Sequence, residues 1–202
     1  YITHAFTCFV NKLGTNVELD AKIRETNSME AINAVVECEY NMGIIRYPVA
    51  YESFFMSMIE EKNLKYHNVW EFDYVLITSE NSQLAKEKED KYIEVLHGDN
   101  IVPNISATYQ KKNAELNNHS RHIYVYERGS QFDILSACPD SFMWVSPLPK
   151  EILKRYGLVQ RVCHSFKKTN KGVLIYQSNY RLSHADQMFL DELERVRKEI
   201  SE

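Results

Sequence analysis

The feature that most constrains the fold is a repeated change of apolar spacing in the first part of the chain. Three segments carry apolar residues at helical spacing, and the two segments between them have the patterns of half-buried and buried strands. The order is a helix over 2–13, a strand over 17–24, a helix opening at Asn27, a strand over 42–45 and a helix over 51–59. Such alternation is typical of an α/β layer with parallel strands, so the sequence predicts the α/β class.

The rest of the chain continues this alternation. A long strand is predicted over 69–78, and the charge run over 85–91 is interpreted as a solvated linker. The later segments are strands over 92–96, 123–126, 142–145, 159–166 and 173–176, helices over 130–137 and 152–156, and a polar surface segment over 111–122. A final helix is predicted to begin after Ser183, because Asp186 then stands at the third helical position of a capping box.

Composition limits the function. The 202 residues include 24 Lys and Arg against 28 Asp and Glu, which gives a net charge of −4. Proteins that bind nucleic acid carry a basic face, so this chain alone is a poor candidate for that class. No apolar run approaches the ~20 residues of a membrane span. The chain opens with Tyr1, and 1–10 lack the basic segment of a signal peptide, so we expect a fragment or a processed piece.

Cysteine and histidine usage predicts neither a disulfide framework nor a metal site. The four cysteines are spread along the chain without a Cys-x-x-Cys pair, so we interpret them as reduced, mostly buried thiols of a cytoplasmic protein. No pair among the cysteines and the seven histidines has zinc-like spacing, and His119 and His122 lack a supporting acidic partner. The sequence therefore predicts no metal and no cofactor.

An enzyme has no positive support in the sequence. Cys163 and His164 are neighbours in a predicted strand, so their side chains point to opposite faces and do not form a nucleophile–base contact. The glycine-rich phosphate-binding and nucleophile-elbow motifs are absent from the sequence.

Ligand binding has more support. Asn27 and Ser28 open a helix after a predicted strand, where backbone N–H groups and the helix dipole favour an anion; the alternative is a plain helix cap. Arg46 follows a buried strand, where loops of α/β sheets meet ligands; the alternative is a surface arginine. Ser130 is predicted to cap a helix in the second part, again after a strand. Two such helix starts facing one another would form a cleft for a small polar ligand.

Four segments resemble, in order and spacing, segments of the LysR-type transcriptional regulators. Residues 37–46 are similar to G-x-L-D-hydrophobic-G-I, and 74–85 to L-V-hydrophobic followed by H-P-L-A, with Ser82 and Gln83 in place of His-Pro. Residues 134–149 resemble V-x-x-G-x-G-hydrophobic-x-x-L-P, with 139–141 in place of the G-x-G. Finally, 183–193 resemble the helix S-x-x-A-x-x-F-hydrophobic-x-x-L.

This resemblance implies an effector-binding domain with the two-lobed fold of type 2 periplasmic binding proteins, in which two crossing strands join two α/β lobes. Lobe one would comprise 1–70 and 177–202, and lobe two 71–176, with the final helix packed on lobe one. The winged helix-turn-helix of the family would lie outside this sequence, so DNA would be bound only through that domain. The first strand of lobe one would also precede Tyr1.

The resemblance also implies where a ligand binds. The family's contacts, carried over by position, fall on eight residues. They are Thr3, Asn27, Ser28, Arg46 and Phe72 in or beside lobe one, and His97, Gly98 and Ser130 in lobe two. An arginine beside helix N-termini suggests a small polar or anionic metabolite.

The function implied is that of a cytoplasmic ligand sensor that forms a dimer or higher homo-oligomer, with 2–24 contributing much of the surface. The ligand would change the angle between lobes or subunits, and it biases that change only through its different affinity for the two states. The first alternative is an extracytoplasmic solute-binding protein of a transporter. The second is an enzyme for a small molecule, which would place a nucleophile and a base within hydrogen-bond reach.

Overall fold

The computed structural model describes residues 1–15, 17–84, 92–98, 121–162 and 169–201. The helices are α1 (Ile2–Leu13), α2 (Ser28–Val36), α3 (Glu52–Glu61), α4 (Arg128–Ala137), α5 (Lys150–Tyr156) and α6 (His184–Ser201). The strands are β1 (Met42–Pro48), β2 (Leu64–Asp73), β3 (Val75–Ser79), β4 (Ile93–His97), β5 (His122–Val125), β6 (Ser141–Val145), β7 (Leu158–Arg161) and β8 (Thr169–Gln177). A short 3-10 helix, Val49–Tyr51, joins β1 to α3.

The chain divides into two compact units. Unit 1 comprises Tyr1–Tyr74, Ser146–Lys150 and Ser165–Glu202, and unit 2 comprises Val75–Val145 and Glu151–His164. This division follows Tyr74 and precedes Ser165, whereas the sequence placed the lobe boundaries after 70 and before 177. The assignment of the ligand-binding lobes stays a prediction.

Unit 1 is built on a three-stranded sheet in the order β1-β8-β2. Both outer strands pair with β8 in antiparallel fashion, so β1 and β2 run in the same direction but do not pair with each other. Helix α3 lies between them in the chain. The parallel direction that the sequence predicts therefore holds for β1 and β2, but they are not neighbours in the sheet, because β8, more than 90 residues away along the chain, is inserted between them.

Helices cover the sheet of unit 1. Helix α2 contacts β1 and β8, and α3 contacts β1 and β2. Helix α1 packs against α6, and a cluster of buried side chains from these two helices closes the interface; its members are Tyr1, Ala5, Leu193 and Val196. Ile44 of β1 and Trp70 of β2 pack against this cluster, so the final helix returns to the first sheet as predicted.

A buried carboxylate ties α1 to α6. Glu192 is almost fully buried, accepts a hydrogen bond from Arg195 Nε at 2.9 Å and forms an ion pair with Lys12 of α1. Burial alone raises the pKa of Glu192, but the hydrogen bonds and charges of Lys12 and Arg195 outweigh it, so the pKa lies below its ordinary value of 4.5.

We expect Glu192→Gln to lower the free energy of unfolding by about 1–2 kcal/mol at neutral pH, because hydrogen bonds to charged groups contribute about 1.5–3 kcal/mol. A carboxylate with a depressed folded-state pKa stabilises above its unfolded pKa and loses that contribution as the pH falls through its folded pKa. Urea unfolding of both proteins from about pH 7 to about pH 3 should therefore show the difference shrinking towards acid.

The matched control for this series is Glu194→Gln on the same helix. Glu194 is exposed and pairs with Lys198 at 2.7 Å, so its loss should change stability little. A cost of Glu192→Gln that stays constant from neutral to acid pH would contradict the assignment.

Unit 2 contains a five-stranded mixed sheet in the order β5-β4-β6-β3-β7. β4 is parallel to β5 and β6, whereas β3 is antiparallel to β6 and β7. Helix α4 contacts strands β3 to β6. The centre of one core cluster is the fully buried Phe142, which packs with Leu76, Leu84 and Tyr92.

Local sequence signals are confirmed at the end of α1 and at the start of α6. Helix α1 ends before Gly14, whose φ of +69° lies in the left-handed region that glycine adopts without strain. At the start of α6, Ser183 Oγ accepts the backbone N–H of Asp186, and Asp186 Oδ2 accepts the backbone N–H of Ser183. This is the predicted capping box.

The predicted strand over 17–24 is wrong. The described residues of this segment form no strand, and Val17, Leu19 and Ile23 are 51%, 42% and 50% exposed. A strand needs a neighbour to accept and donate its backbone hydrogen bonds, and none of the described strands pairs with this segment. Alternation of apolar and charged residues is therefore not sufficient to form a strand in this segment.

The single strand predicted over 69–78 is two strands in two sheets. β2 begins at Leu64 and ends at Asp73, and β3 begins at Val75. Tyr74 separates them, at the boundary between the two units. Phe72 of β2 and Val75 of β3 are both buried on either side of this boundary, so the sequence gives no sign that the two strands pair in different sheets.

The cysteine prediction is confirmed in one respect and wrong in another. Cys8, Cys38 and Cys138 are free thiols, but Cys8 is only half-buried, and Cys38 and Cys138 are exposed. Cys163, His164 and His119, the linker over 85–91 and most of 111–122 lie outside the described residues. Among the described helices, none is long and apolar enough to cross a membrane.

Candidate functional site

Side-chain hydrogen bonds join the start of α2 to β1, and Arg46, which was predicted to follow a strand, lies inside β1 because this strand continues to Pro48. Asn27 Oδ1 accepts the backbone N–H of Glu30 at 2.9 Å, which confirms the predicted cap. Ser28 Oγ donates to the carbonyl oxygen of Arg46 at 2.8 Å and accepts the backbone N–H of Arg46 at 3.1 Å. One hydroxyl thus satisfies both backbone groups of Arg46, and the three predicted residues of this region come together.

Arg46 also lies beside a buried phenol. Burial raises the pKa of Tyr1, and the positive charge of Arg46 lowers it in part. Arg46 faces Gly172 across the β1–β8 pair. A Cβ atom on Gly172 would lie 3.1 Å from Tyr1 Oη and 3.9 Å from Arg46 Cγ, so the side chains of Tyr1 and Arg46 meet over this glycine on one face of the sheet.

Aromatic rings extend this face of unit 1. The rings of Tyr1 and Trp70 meet edge to face with centroids 5.1 Å apart, and those of Trp70 and Phe72 are 4.9 Å apart. Phe72 is buried within this cluster. The sequence named Phe72 but missed Tyr1 and Trp70, because nothing in local spacing shows that the first residue of the chain packs against β2.

Thr3 lies in the first turn of α1 and is exposed. Its carbonyl oxygen accepts a hydrogen bond from Thr7 Oγ1 at 3.0 Å, and α1 begins at Ile2 after Tyr1 without a side-chain cap. The role of Thr3 in ligand binding stays a prediction.

In unit 2, the end of β4 meets the end of β5. His97 is the last residue of β4, and the backbone N–H of Gly98 donates to the carbonyl oxygen of Val125 at 3.0 Å. A Cβ atom on Gly98 would approach the ring of Tyr126 to 2.5 Å, so only glycine allows this ring to lie against the backbone. Tyr126 is 63% exposed and was missed by the sequence reasoning.

The predicted cap of α4 is wrong. The helix begins at Arg128 after Glu127, so Ser130 lies inside its first turn and donates to Glu127 Oε2 at a long 3.4 Å. The sequence predicted this helix only from 130, since Gly129 is a poor helix former. Ser130 still stands at the start of α4, three residues from the cap position, which Glu127 occupies.

A buried amide holds α4 to β5. Gln131 is fully buried, and its Nε2 donates to the carbonyl oxygen of Val125 at 3.1 Å. Its Oε1 has no hydrogen-bond partner among the described residues. Sequence reasoning missed Gln131, because a glutamine next to apolar Phe132 reads as a polar surface position.

The described residues contain no group of three or more His, Cys, Asp and Glu side chains that could hold a metal ion. His122 of the suggested His-x-x-His pair lies with its Nε2 3.7 Å from Glu94 Oε2. What the structure does assemble in unit 1 is an arginine, a capped helix N-terminus and an aromatic cluster, which together suit a small ligand with an anionic group.

Comparison with solved structures finds effector-binding or regulatory domains as neighbours. No family model and no curated protein matches the sequence. The effector-binding domain of QuiR in complex with shikimate shares 16% identity, covers 98% of this chain and 90% of its own, and gives a TM-score of 0.59. The regulatory domain of MetR, a LysR family regulator from N. meningitidis, shares 11% identity with 98% and 88% coverage and a TM-score of 0.59. The reduced regulatory domain of OxyR2 from Vibrio vulnificus shares 12% with 96% and 88% coverage and a TM-score of 0.57.

The class that these neighbours define is an α/β fold, and the predicted fold class is confirmed. More particularly, the chain has the fold of the effector-binding, or regulatory, domains of LysR family regulators, along nearly its whole length. The resemblance found in the sequence is thereby borne out for the fold.

Proposed function

We propose that this chain is the effector-binding domain of a LysR-type transcriptional regulator and that it senses a small polar or anionic metabolite. The observation that carries the proposal is the double hydrogen bond of Ser28 to the backbone of Arg46, which joins the N-terminus of α2 to the residue that carries the cationic side chain. The shared fold supports it, since the neighbours described above are regulatory domains, one of them bound to shikimate. The same neighbours favour this function over a solute-binding protein of a transporter.

The site in unit 1 would recognise its ligand by charge and by apolar contact. The guanidinium of Arg46 would form charge-assisted hydrogen bonds with a carboxylate or phosphate, and the dipole of α2 would favour the same negative charge. Asn27 and Ser28 would position this end of the helix. The contributions of Thr3, Phe72, His97, Gly98 and Ser130 are part of the proposal, on the strength of the family resemblance.

The action proposed is binding without bond chemistry. The regulator would be a cytoplasmic homodimer or higher homo-oligomer, with the surface of 2–24 contributing to association, and DNA would be bound through a separate domain of the full-length protein. The ligand would act only through its different affinity for two arrangements of the regulator.

A thermal-shift screen of the purified chain tests the ligand class. The panel contains cyclic and linear carboxylates including shikimate, phosphorylated metabolites, amino acids, inorganic phosphate and sulfate, with uncharged sugars as controls. A ligand at about 100 times its Kd stabilises the folded state by about 2.7 kcal/mol, which is readily detected. We expect at least one anion to raise the unfolding temperature; a panel in which only uncharged compounds do so contradicts the anionic class.

A further inference from the structure

Residues 17–24, which pair with none of the described strands, leave a group of apolar side chains uncovered. All eight residues of this segment are exposed. Val17, Leu19 and Ile23 are three of the seven large apolar side chains that are exposed among the described residues. Single exposed apolar residues are common on protein surfaces, whereas a group of them marks a contact with another molecule.

The backbone of this segment is compatible with a strand. It is neither helical nor part of a described sheet, and none of its residues has a positive φ. Successive side chains of an extended strand point to opposite faces. In that conformation Leu19, Ala21 and Ile23 would share one face, and the four charged residues between and beside them would share the other.

The charged residues of this segment complement a second copy of the same segment. Two acidic residues, Glu18 and Asp20, are followed at alternate positions by two basic residues, Lys22 and Arg24. In an antiparallel pair with a twofold axis at Ala21, Glu18 faces the partner's Arg24 and Asp20 faces the partner's Lys22. The symmetry repeats each of these contacts, and opposite charges that face one another across two strands stabilise the pair.

Other arrangements of the same two strands are disfavoured by charge or by polarity. A shift of the axis by two residues places either Asp20 or Lys22 opposite its own copy, and like charges in that position are destabilising. A shift by one residue places charged side chains opposite apolar ones. A parallel pair in register places every charge opposite itself. The antiparallel register centred on Ala21 is therefore the favoured one.

We propose that residues 18–24 form an antiparallel strand pair with the same segment of a second copy of this chain, with Ala21 on the twofold axis. The pairing satisfies backbone N–H and C=O groups along one edge of each strand and places Leu19 against the partner's Ile23. The second edge of each strand stays available to a further strand. The inference rests on the homo-oligomer of the proposed function and gives it a specific contact, but it involves no ligand.

Sedimentation velocity of the whole chain, over a wide range of protein concentrations, tests the pairing. We expect the wild type to form dimers as its concentration rises, and high salt to weaken them by screening the exposed charges. Asp20→Lys and Lys22→Asp should each weaken dimerisation at least about tenfold, because each substitution turns two attractive contacts into two repulsive ones. The double variant Asp20→Lys/Lys22→Asp should dimerise like the wild type. An equimolar mixture of the two single variants should form dimers that neither forms alone.

The matched control is Lys62→Asp, which makes the same charge change as Lys22→Asp at an exposed position after α3. It should dimerise like the wild type. Thermal unfolding is expected to show the same midpoint for all variants, since the substituted side chains are exposed.

Three results would each overturn the proposal. They are a wild type that stays monomeric at every concentration, single variants that dimerise as well as the wild type, and a mixture that dimerises no better than its components. Because these experiments contain no ligand, such a failure is distinct from a failure of the effector-binding proposal, which the thermal-shift screen decides.

Discussion

Phe9→Glu should abolish the cooperative unfolding transition of unit 1. Phe9 is 4% exposed in α1, and its ring lies 5.9 Å from Phe6 and 6.1 Å from Phe189 of α6. Loss of a buried phenylalanine costs about 3–5 kcal/mol, and a carboxylate buried without a partner adds to that cost. Because a whole domain is stable by only about 5–15 kcal/mol, one substitution is enough to unfold this unit. Urea unfolding followed by circular dichroism measures it.

Two variants of the same helix separate packing from association. Thr7→Glu changes an exposed position and should leave the unfolding midpoint close to that of the wild type. Val10→Glu changes a half-buried neighbour of Phe9. If residues 2–24 contribute to a dimer surface, this substitution should lower the sedimentation coefficient while the chain stays folded. An unfolding curve of Phe9→Glu that matches the wild type would contradict the packing of α1 on α6.

Arg46→Ala should weaken the binding of an anionic ligand about 10- to 100-fold. Hydrogen bonds to charged groups contribute about 1.5–3 kcal/mol, and each 1.4 kcal/mol is a factor of about ten in Kd. Ser28 bonds only to the backbone of Arg46, so alanine at position 46 keeps those two hydrogen bonds and the fold. Isothermal titration with the best anion from the thermal-shift screen measures the loss.

The control for this titration is Arg24→Ala, which removes the same charge from an exposed position in the segment before α2. It should leave Kd within about twofold, because exposed charges separated from a ligand are largely screened by salt. Equal losses in both variants would show that the ligand responds to net charge rather than to a site at Arg46.

Signals that act within one turn of chain were predicted correctly. Gly14 ends α1, Asn27 caps α2, and Ser183 with Asp186 opens α6, because each of these interactions joins residues at most a few positions apart. Such contacts are encoded by residue type and spacing alone. The capping prediction failed at Ser130, where the pattern of a turn outweighed a helix that begins two residues earlier.

Features that depend on partners far along the chain were not predictable. The alternation over 17–24 suits a strand, yet this segment pairs with none of the described strands. β8 inserts between β1 and β2, and no local pattern in β1 or β2 indicates it. The alternation of helices and strands predicted the α/β class, and the family resemblance added the two-lobed architecture, since it draws on the order of segments along the whole chain.

In the candidate site too, local features were predictable from the sequence and contacts between distant residues were not. Asn27 and Ser28 could be named because a helix start is visible in the sequence, whereas Arg46, which was predicted to follow a strand, lies inside β1. The hydroxyl bridge between Ser28 and Arg46, and the packing of Tyr1 beside Arg46, join residues 18 and 45 positions apart and required the structure.

The most direct test of the proposed function is a crystal structure of this chain with the anion that gives the largest thermal shift. We expect the negative group of the ligand to lie within hydrogen-bond distance of the Arg46 guanidinium and close to the N-terminus of α2. An anion bound elsewhere, with Arg46 making no contact to it, would contradict the claim that this arginine and this helix form the effector site.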